Sequence, residues 1–462
     1  MKNISKIAVA SAVSLLMLSS CNIYKKFEMP QDDPVTAEYA KAVKESPDST
    51  AYGNLAWQKV FTDPLLQDYI SIALANNVNL ENTRLNVDIA RANLQGAKLD
   101  YFPSLALTPN GAGAYYNIPG ADHFTWTYSI PLSMSWEIDV FAKLLNKKRA
   151  AQASVYLQED YVHAVQSQLI SGVATLYYTI ANLKSQLALA EQTSEVWKQS
   201  VQTMRDFKTA GRVTEAAVVQ SEAQYYSILA SISDIRTSLA TTESSLALLL
   251  NADRIPTAIP AEARLDIPAI MRDGISLREI AQRPDVRVAE QQLAAAYYAT
   301  NSARAAFYPS LTISAQGGFS NLLGSFIKNP GDWFVNLAGQ LTAPLFSRGQ
   351  NISRLKGAKI QQQQSLNNFK YTLLSAAAEI DDALVSLANN TEKSKQLALQ
   401  EEDLQKAVEY TNMLMVHDSN TTYLEVLNAQ SSLLSAQMNR LNTELARERD
   451  LITLYQALGG GR

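Results

Sequence analysis

The stretch that decides the fold runs from His123 to Lys143 and reads HFTWTYSIPLSMSWEIDVFAK. From Phe124 to Ile138 every even-numbered residue is apolar, and the odd-numbered residues between them are serine, threonine, proline or glutamate. Such alternation predicts a strand with one face in an apolar medium and the other face in water. Ordinary strands have about 5 or 6 residues and membrane-crossing strands about 9–11, so this length is typical of a membrane β-barrel.

A very long helix is predicted directly after this strand. Apolar residues recur there at every seventh position, namely Val155, Val162, Leu169, Leu176, Leu183, Ala190, Trp197 and Met204. Sustained heptads predict helices that pack side by side as a coiled coil. From Lys143 to Lys208, at 1.5 Å per residue, the helix would be roughly 100 Å long. A membrane strand that leads into such a helix is rare and restricts the possible folds.

The first 20 residues have the features of a bacterial lipoprotein signal peptide. A basic start is followed by an apolar run too short to span a bilayer, which is typical of an export signal. The run closes with Leu18-Ser19-Ser20-Cys21, a lipobox-like sequence that predicts cleavage before Cys21 and acylation of that residue, for example with palmitate. The alternative is an ordinary signal peptide with an incidental cysteine. Asn22 follows the cysteine, and with no aspartate there to favour the inner membrane we expect the outer membrane of a Gram-negative bacterium.

The two halves of the chain repeat the same plan. Phe102-Pro103-Ser104-Leu105 recurs 206 residues later as Tyr308-Pro309-Ser310-Leu311. Each half reads as a helix, two strands, a long helix and a return helix, which predicts an internal duplication. The expected division is a signal peptide (1–20), a lipid-anchored tether (21–62), a first repeat (63–250), a connector (251–275) and a second repeat (276–462).

Four strands per chain cannot close a membrane barrel, and open sheet edges are not tolerated in lipid. The chain must therefore oligomerise, and the residues alone leave a dimer with eight strands and a trimer with twelve both open. The predicted lumen-facing residues are small or polar, as a water-filled pore requires: Thr125, Thr127, Ser129, Ser133, Ser135, Asn336, Gln340 and Thr342.

Composition argues against several other classes of protein. The net charge is −4, with 40 basic against 44 acidic residues, which gives no electrostatic basis for binding nucleic acid. Three histidines lie far apart and there is one cysteine, so we expect no enzyme activity, no cofactor and no metal site. Met413-Leu414-Met415 suggests soft-metal handling, but filling of an apolar core is the preferred interpretation.

Several motifs resemble those of the TolC-like outer membrane efflux proteins, especially their lipoprotein (NodT-type) branch. They are WEIDVFAK (136–143), QRPDVRVAE (282–290), AAFYPSL (305–311), PLFSRG (344–349) and ALGGG (457–461). The resemblance implies a mixed α+β membrane protein: a homotrimer whose twelve-stranded β-barrel, four strands per chain, continues into a long α-helical coiled-coil periplasmic tunnel. Ala142 departs from the pattern, because many relatives have glycine at the strand-to-helix bend.

The function implied by the resemblance is that of a passive outer-membrane channel in a tripartite efflux pump that exports drugs or other toxic small molecules. The implied partners are outer-membrane lipid, a periplasmic adaptor (membrane fusion) protein and an inner-membrane pump of the RND type. A type I protein-secretion duct uses the same fold and stays open as an alternative. A non-efflux porin or structural tether is a different class, but porins lack helices of ~100 Å. No residue identifies the substrate.

The two helix-to-helix turns farthest from the strands, near Gly211 and Ser419, are the expected periplasmic entrance. The resemblance places acidic gate residues at the second turn, which correspond to Glu425 and Asn428, with Asp418 close by. On the first turn, Arg212 and Glu215 are candidates for ion pairs that lock the closed state. Exposed pairs contribute only ~0–1 kcal/mol each, so such a lock needs a symmetric ring of them. The alternative is that Glu425 is merely a solvent-facing helix residue.

Overall fold

The computed structural model describes residues 24–44, 55–117, 123–265, 277–321, 333–417 and 423–461. Cys21, Asp418 and parts of the predicted tether and connector lie outside these residues. In chain order the elements are α1 (Pro34–Ala42), α2 (Trp57–Val60), α3 (Pro64–Asn76), α4 (Val78–Leu99), β1 (Ser104–Leu107), β2 (Asn110–Tyr116), β3 (His123–Ile138), α5 (Lys143–Thr209), α6 (Glu215–Leu249), α7 (Leu277–Ile280), α8 (Pro284–Ala305), β4 (Ser310–Asn321), β5 (Trp333–Thr342), α9 (Gln350–His417) and α10 (Tyr423–Ala457). The order of a helix, strands, a long helix and a return helix therefore occurs twice.

The described residues divide into two compact units. The first draws on residues 1–37, 85–159 and 288–370 and holds all the described strands. The second draws on residues 38–84, 160–287 and 371–462 and holds the return helices α6 and α10. Within the described ranges, none of the helices combines the length and hydropathy of a membrane-spanning helix.

The strands form one antiparallel sheet with β3 and β4 at its centre. β3 pairs with β1 and β2 on one side and with β4 on the other, and β4 pairs in turn with β5. The sequence predicts one strand from Ser104 to Asn117, but the structure divides it into β1 and β2. Pro109 lies at the break, where it cannot donate a ladder hydrogen bond. β1 and β2 together occupy one edge of the sheet, so the four-strand plan holds.

The bend from β3 into α5 depends on a residue with an unusual backbone conformation. Ala142 has φ = +56°, a left-handed conformation that favours glycine. Asp139 compensates by capping α5, because its carboxylate accepts hydrogen bonds from the backbone N–H groups of Leu144 (3.0 Å) and Leu145 (2.7 Å). The departure from glycine at position 142 is therefore accommodated with strain rather than with a different bend.

Helices α5 and α6 form an antiparallel hairpin whose register is marked by ion pairs. In the second unit Lys184 pairs with Glu243 (3.5 Å), Glu191 with Arg236 (2.6 Å), and Arg205 with Glu222 (2.7 Å). The three α5 positions are seven and fourteen residues apart, so all of them lie on one face of the helix. Each exposed pair is weak, but together they favour a single alignment of the two helices.

A buried arginine ties the second repeat to the end of the chain. Arg283 is 6% exposed, and its guanidinium donates to Glu379 (2.6 Å), to Asp285 (2.8 Å) and to the Ala457 carbonyl (2.6 Å). These contacts join the start of α8 to α9 and to the end of α10. A buried charge that is bonded on all sides is costly to unpair, so this cluster fixes the ends of three helices.

Candidate functional site

The register of the sheet places the predicted lumen residues on one face. Ser133 lies opposite Gln316, which lies opposite Asn336, and Ser135 lies opposite Ser314. Further polar rows pair Glu137 with Thr312 and Gln340, and Asn110 with Ser129. Within the described strands Glu137 is the only carboxylate, and Lys143 neutralises it at 2.8 Å. The polar face is therefore lined by small uncharged groups.

The opposite face of the sheet is apolar and uncovered. Leu132 and Leu337 are 52% and 73% exposed, and Trp126 and Trp333 are also largely exposed. Trp136 and Trp126 are ten residues apart on β3, or about 33 Å along the strand and about 25 Å at a tilt near 40°. That separation matches the apolar band of a membrane barrel, which aromatic residues flank at both interfaces.

The first turn of the predicted entrance is a well-formed helix terminus. The Arg212 N–H donates to the Phe207 carbonyl and the Gly211 N–H to the Lys208 carbonyl, both at 2.9 Å. Gly211 has φ = +72°, so this is a Schellman motif that ends α5 and reverses the chain. Glycine is required there because other residues are strained at such an angle.

The predicted gate residues differ in whether they have an ion-pair partner in the structure. Glu215 forms an ion pair with Lys208, which closes the first turn within one chain. Arg212 is exposed, and among the described residues it forms no ion pair. Glu425 and Asn428 are exposed and lie one turn apart at the start of α10. Asp418 lies outside the described residues.

An apolar cluster near this turn was missed by the sequence reasoning. Tyr423 and Leu427 of α10 pack with Trp197 and Met204 of α5 and with residues of α6. The Tyr423 ring lies edge-on to that of Phe207, with centroids 6.3 Å apart. Burial raises the pKa of Tyr423, and a hydrogen bond with Ser200 partly offsets this rise. The spacing of Tyr423 and Leu427 by four residues was the available signal for a buried face.

Met413, for which the sequence raised soft-metal handling, lies in the part of the chain that the structure describes. No group of three or more histidine, cysteine, aspartate or glutamate residues there is arranged to hold a metal ion. Met413 is 51% exposed in the single chain, and the filling of an apolar core between neighbouring copies stays a prediction.

Comparison with known proteins gives one consistent result. The sequence matches the model of the family "Outer membrane efflux protein" over residues 69–252 and 277–460. It is 29% identical to the "Probable outer membrane lipoprotein SilC" of Salmonella typhimurium over 99% of both chains. It is 30% identical to the "Cation efflux system protein CusC" of Escherichia coli (strain K12) over 96% of this chain and 97% of CusC. A "Toluene efflux pump outer membrane protein TtgC" of Pseudomonas putida is 28% identical over 99% of this chain and 96% of that protein. A crystal structure of CusC superposes with a TM-score of 0.80 over 95% of this chain and 98% of CusC, at 28% identity.

Proposed function

This chain belongs to the outer membrane efflux protein family and is an outer-membrane efflux channel, and we propose that three copies form the duct of a tripartite pump. The fold class predicted from the sequence, a mixed α+β membrane protein with a β-barrel and a long helical tunnel, is confirmed. The observation that carries the proposal is the two-faced sheet. One face is apolar and uncovered, and the other is polar and nearly free of charge. Such a sheet separates lipid from a water-filled pore.

The open edges of the sheet support a barrel that is closed by several copies of the chain. β1 and β2 at one edge and β5 at the other have no further partner strand within the described chain. Eight strands would enclose an interior filled by side chains, whereas twelve leave a lumen. On α9, Tyr371, Leu374 and Val385 are 73%, 62% and 60% exposed, which is apolar surface that neighbouring copies would cover.

Native mass measurement of the detergent-solubilised protein tests this number. We expect three copies, and a dimer or a stable monomer would contradict the proposal.

The N-terminal segment supports lipid anchoring at Cys21. In the first unit Arg149 donates a hydrogen bond of 3.0 Å to the Tyr24 carbonyl. Burial and the neighbouring Tyr308 raise the pKa of Tyr24, so this side chain lies near the start of β4. Tyr24 follows the predicted lipidation site by three residues, so its place near the strands is where an anchor at the membrane surface would be expected.

We expect mass spectrometry to find Cys21 as an acylated mature N-terminus. Cleavage elsewhere, or an unmodified terminus, would exclude the lipid anchor. The polar composition of the tether (21–62) predicts an extended segment, but its described residues contain α1 and α2.

The entrance proposal keeps Arg212, Glu215, Asp418, Glu425 and Asn428 as gate candidates. In a trimer, three copies of each carboxylate would come close together, which excludes anions unless basic groups offset the charge. Glu425 is exposed and free to face a pore, whereas Glu215 already has an intrachain partner.

Replacing Glu425 by Ala together with Arg212 by Ser should raise single-channel conductance and change cation selectivity in planar bilayers. The matched control is Glu81→Ala, an exposed carboxylate on α4. If the double variant conducts like the parent, the charged gate is wrong, and the exposed Leu424 becomes the next candidate.

The partners and cargo are also proposals. A passive duct needs an energy source, so we propose a periplasmic adaptor and an inner-membrane pump of the RND type. CusC is named for cation efflux and TtgC for toluene efflux, and both are similar to this chain over nearly its whole length. We propose small molecules of these kinds as cargo, with catalysis absent.

A deletion strain tests the cargo class directly. We expect increased sensitivity to metal cations, to toluene or to antibiotics, restored by the full-length gene. Loss of a secreted protein without any change in sensitivity would instead favour a type I secretion duct.

A further inference from the structure

The connector that follows α6 is fastened to two helices of the second unit. Lys184 and Ser185 of α5 donate hydrogen bonds of 3.0 and 2.8 Å to carbonyl groups in the described part of the connector (251–265). At its end, the Leu265 N–H donates to Glu448 Oε1 of α10 across 3.3 Å. Glu448 therefore holds the last described residue of the connector.

Glu448 is an unusual residue for this position because it is charged in water but only 6% exposed here. It lines a cleft of about 260 Å³. Among the described residues, the charged groups that face it are Arg264 from the connector and Glu444 and Arg447 from its own helix. Arg264 pairs with Glu444 at 3.7 Å, and among the described residues neither arginine forms an ion pair with Glu448.

This environment favours the protonated carboxyl. Burial raises the pKa of Glu448 to about 7, and the Glu444 carboxylate adds to the rise. The Leu265 N–H and the two arginines act in the opposite direction and are too weak to cancel the effect of burial.

We propose that Glu448 is a proton-controlled clamp, which holds Leu265 of the connector against α10 while it is protonated and releases it when it ionises. The clamp does not depend on what passes through the channel, so it goes beyond the proposed function. The Glu448 carboxyl binds its proton more tightly in the closed clamp than in the open one. The clamp is therefore strongest at low pH. It weakens as the pH rises from about 4.5 towards about 7, where the closed form begins to ionise.

Hydrogen exchange of the full-length trimer in detergent tests the clamp, with rates corrected for the intrinsic pH dependence of exchange. If opening returns the carboxyl to an ordinary pKa of 4.5, the opening constant rises about tenfold between pH 6 and pH 8. We expect protection of the peptide that contains Leu265 to fall by that factor. A constant protection across this range would overturn the proposal.

Two variants separate the clamp from general loosening of the protein. Glu448→Gln keeps the shape and removes the titration, so its protection should not change with pH. Glu444→Gln is the matched control on the same helix, and it should keep the pH dependence with a lower midpoint. The proposal is also overturned if the protection in Glu448→Gln changes with pH as strongly as it does in the parent. If Glu448→Gln does not fold, the pH dependence of protection in the parent and in Glu444→Gln decides.

Discussion

Replacing Tyr423 should open the periplasmic entrance more strongly than replacing any exposed neighbour. Tyr423 begins α10 and is 9% exposed, with its ring against Phe207 and its hydroxyl hydrogen-bonded to Ser200. Both partners belong to the last turns of α5. Tyr423 therefore connects the start of α10 to the last turns of α5, where the entrance is proposed.

The structure gives different magnitudes for two substitutions. Tyr423→Phe keeps the ring and removes a hydrogen bond that contributes about 0.5–1.5 kcal/mol. If the bond exists only in the closed state, the open-to-closed ratio rises roughly two- to tenfold. Tyr423→Ala also removes the buried ring, for which large-to-small substitutions cost about 3–5 kcal/mol. We expect a channel that is open for most of the time.

Single-channel recordings in planar bilayers measure this ratio as the open probability. Ser200→Ala should reproduce the effect of Tyr423→Phe, and the double variant should add nothing because both changes remove the same bond. Tyr226→Ala is the control, because Tyr226 is a tyrosine of α6 that is 61% exposed. If Tyr423→Ala conducts like the parent, or if the two hydroxyl variants add fully, Tyr423 does not hold the entrance closed.

Three further predictions concern the pore, the core and the bend. Ser133→Trp should lower conductance because it fills the polar face, whereas Leu132→Trp should leave conductance unchanged, and equal conductances would contradict the assigned faces. Arg283→Met should lower the free energy of unfolding by about 1–3 kcal/mol, since it leaves the buried Ala457 carbonyl without its donor and removes ion pairs to two half-exposed carboxylates, while the exposed Arg84→Met should cost under about 1 kcal/mol in the same denaturation experiment. Ala142→Gly should raise the free energy of unfolding by roughly 0.5–1 kcal/mol, because glycine adopts φ = +56° without strain. The greater backbone freedom of glycine in the unfolded chain offsets part of this stabilisation. A lower melting temperature for this variant would refute the strain.

The long elements were predictable because their signals are local and repeated. Seven-residue spacing along 155–204 predicts α5, and strict alternation along 124–138 predicts β3, with each signal supported by many residues at once. The break at Pro109 depends on a single residue, and proline is tolerated at sheet edges as well as at breaks, so alternation alone does not locate it.

The first helix-to-helix turn was predictable in position but not in its contacts. Gly211 marks the first turn by its conformational freedom, and the structure has the turn there. Which lysine or arginine meets Glu215 depends on the helical phase of the last turn of α5, and the partner is Lys208 rather than Arg212. Leu427 is 5% exposed in the apolar cluster with α5 and α6, and its burial was not predictable because the heptad pattern does not say which neighbour covers a given face.

The contacts that α5 makes with α6 and with α10 differ in strength, and the difference indicates where an opening force would act. Helices α5 and α6 are joined by a short turn, by three ion pairs at heptad spacing and by the Lys208 pair that closes the turn. Among the described residues, the start of α10 packs against α5 through Tyr423 and Leu427. Two side chains bury little area, and their loss costs less than separating two helices along their length. A partner that pulls on the tip should therefore move the start of α10 first and leave the hairpin of α5 and α6 intact.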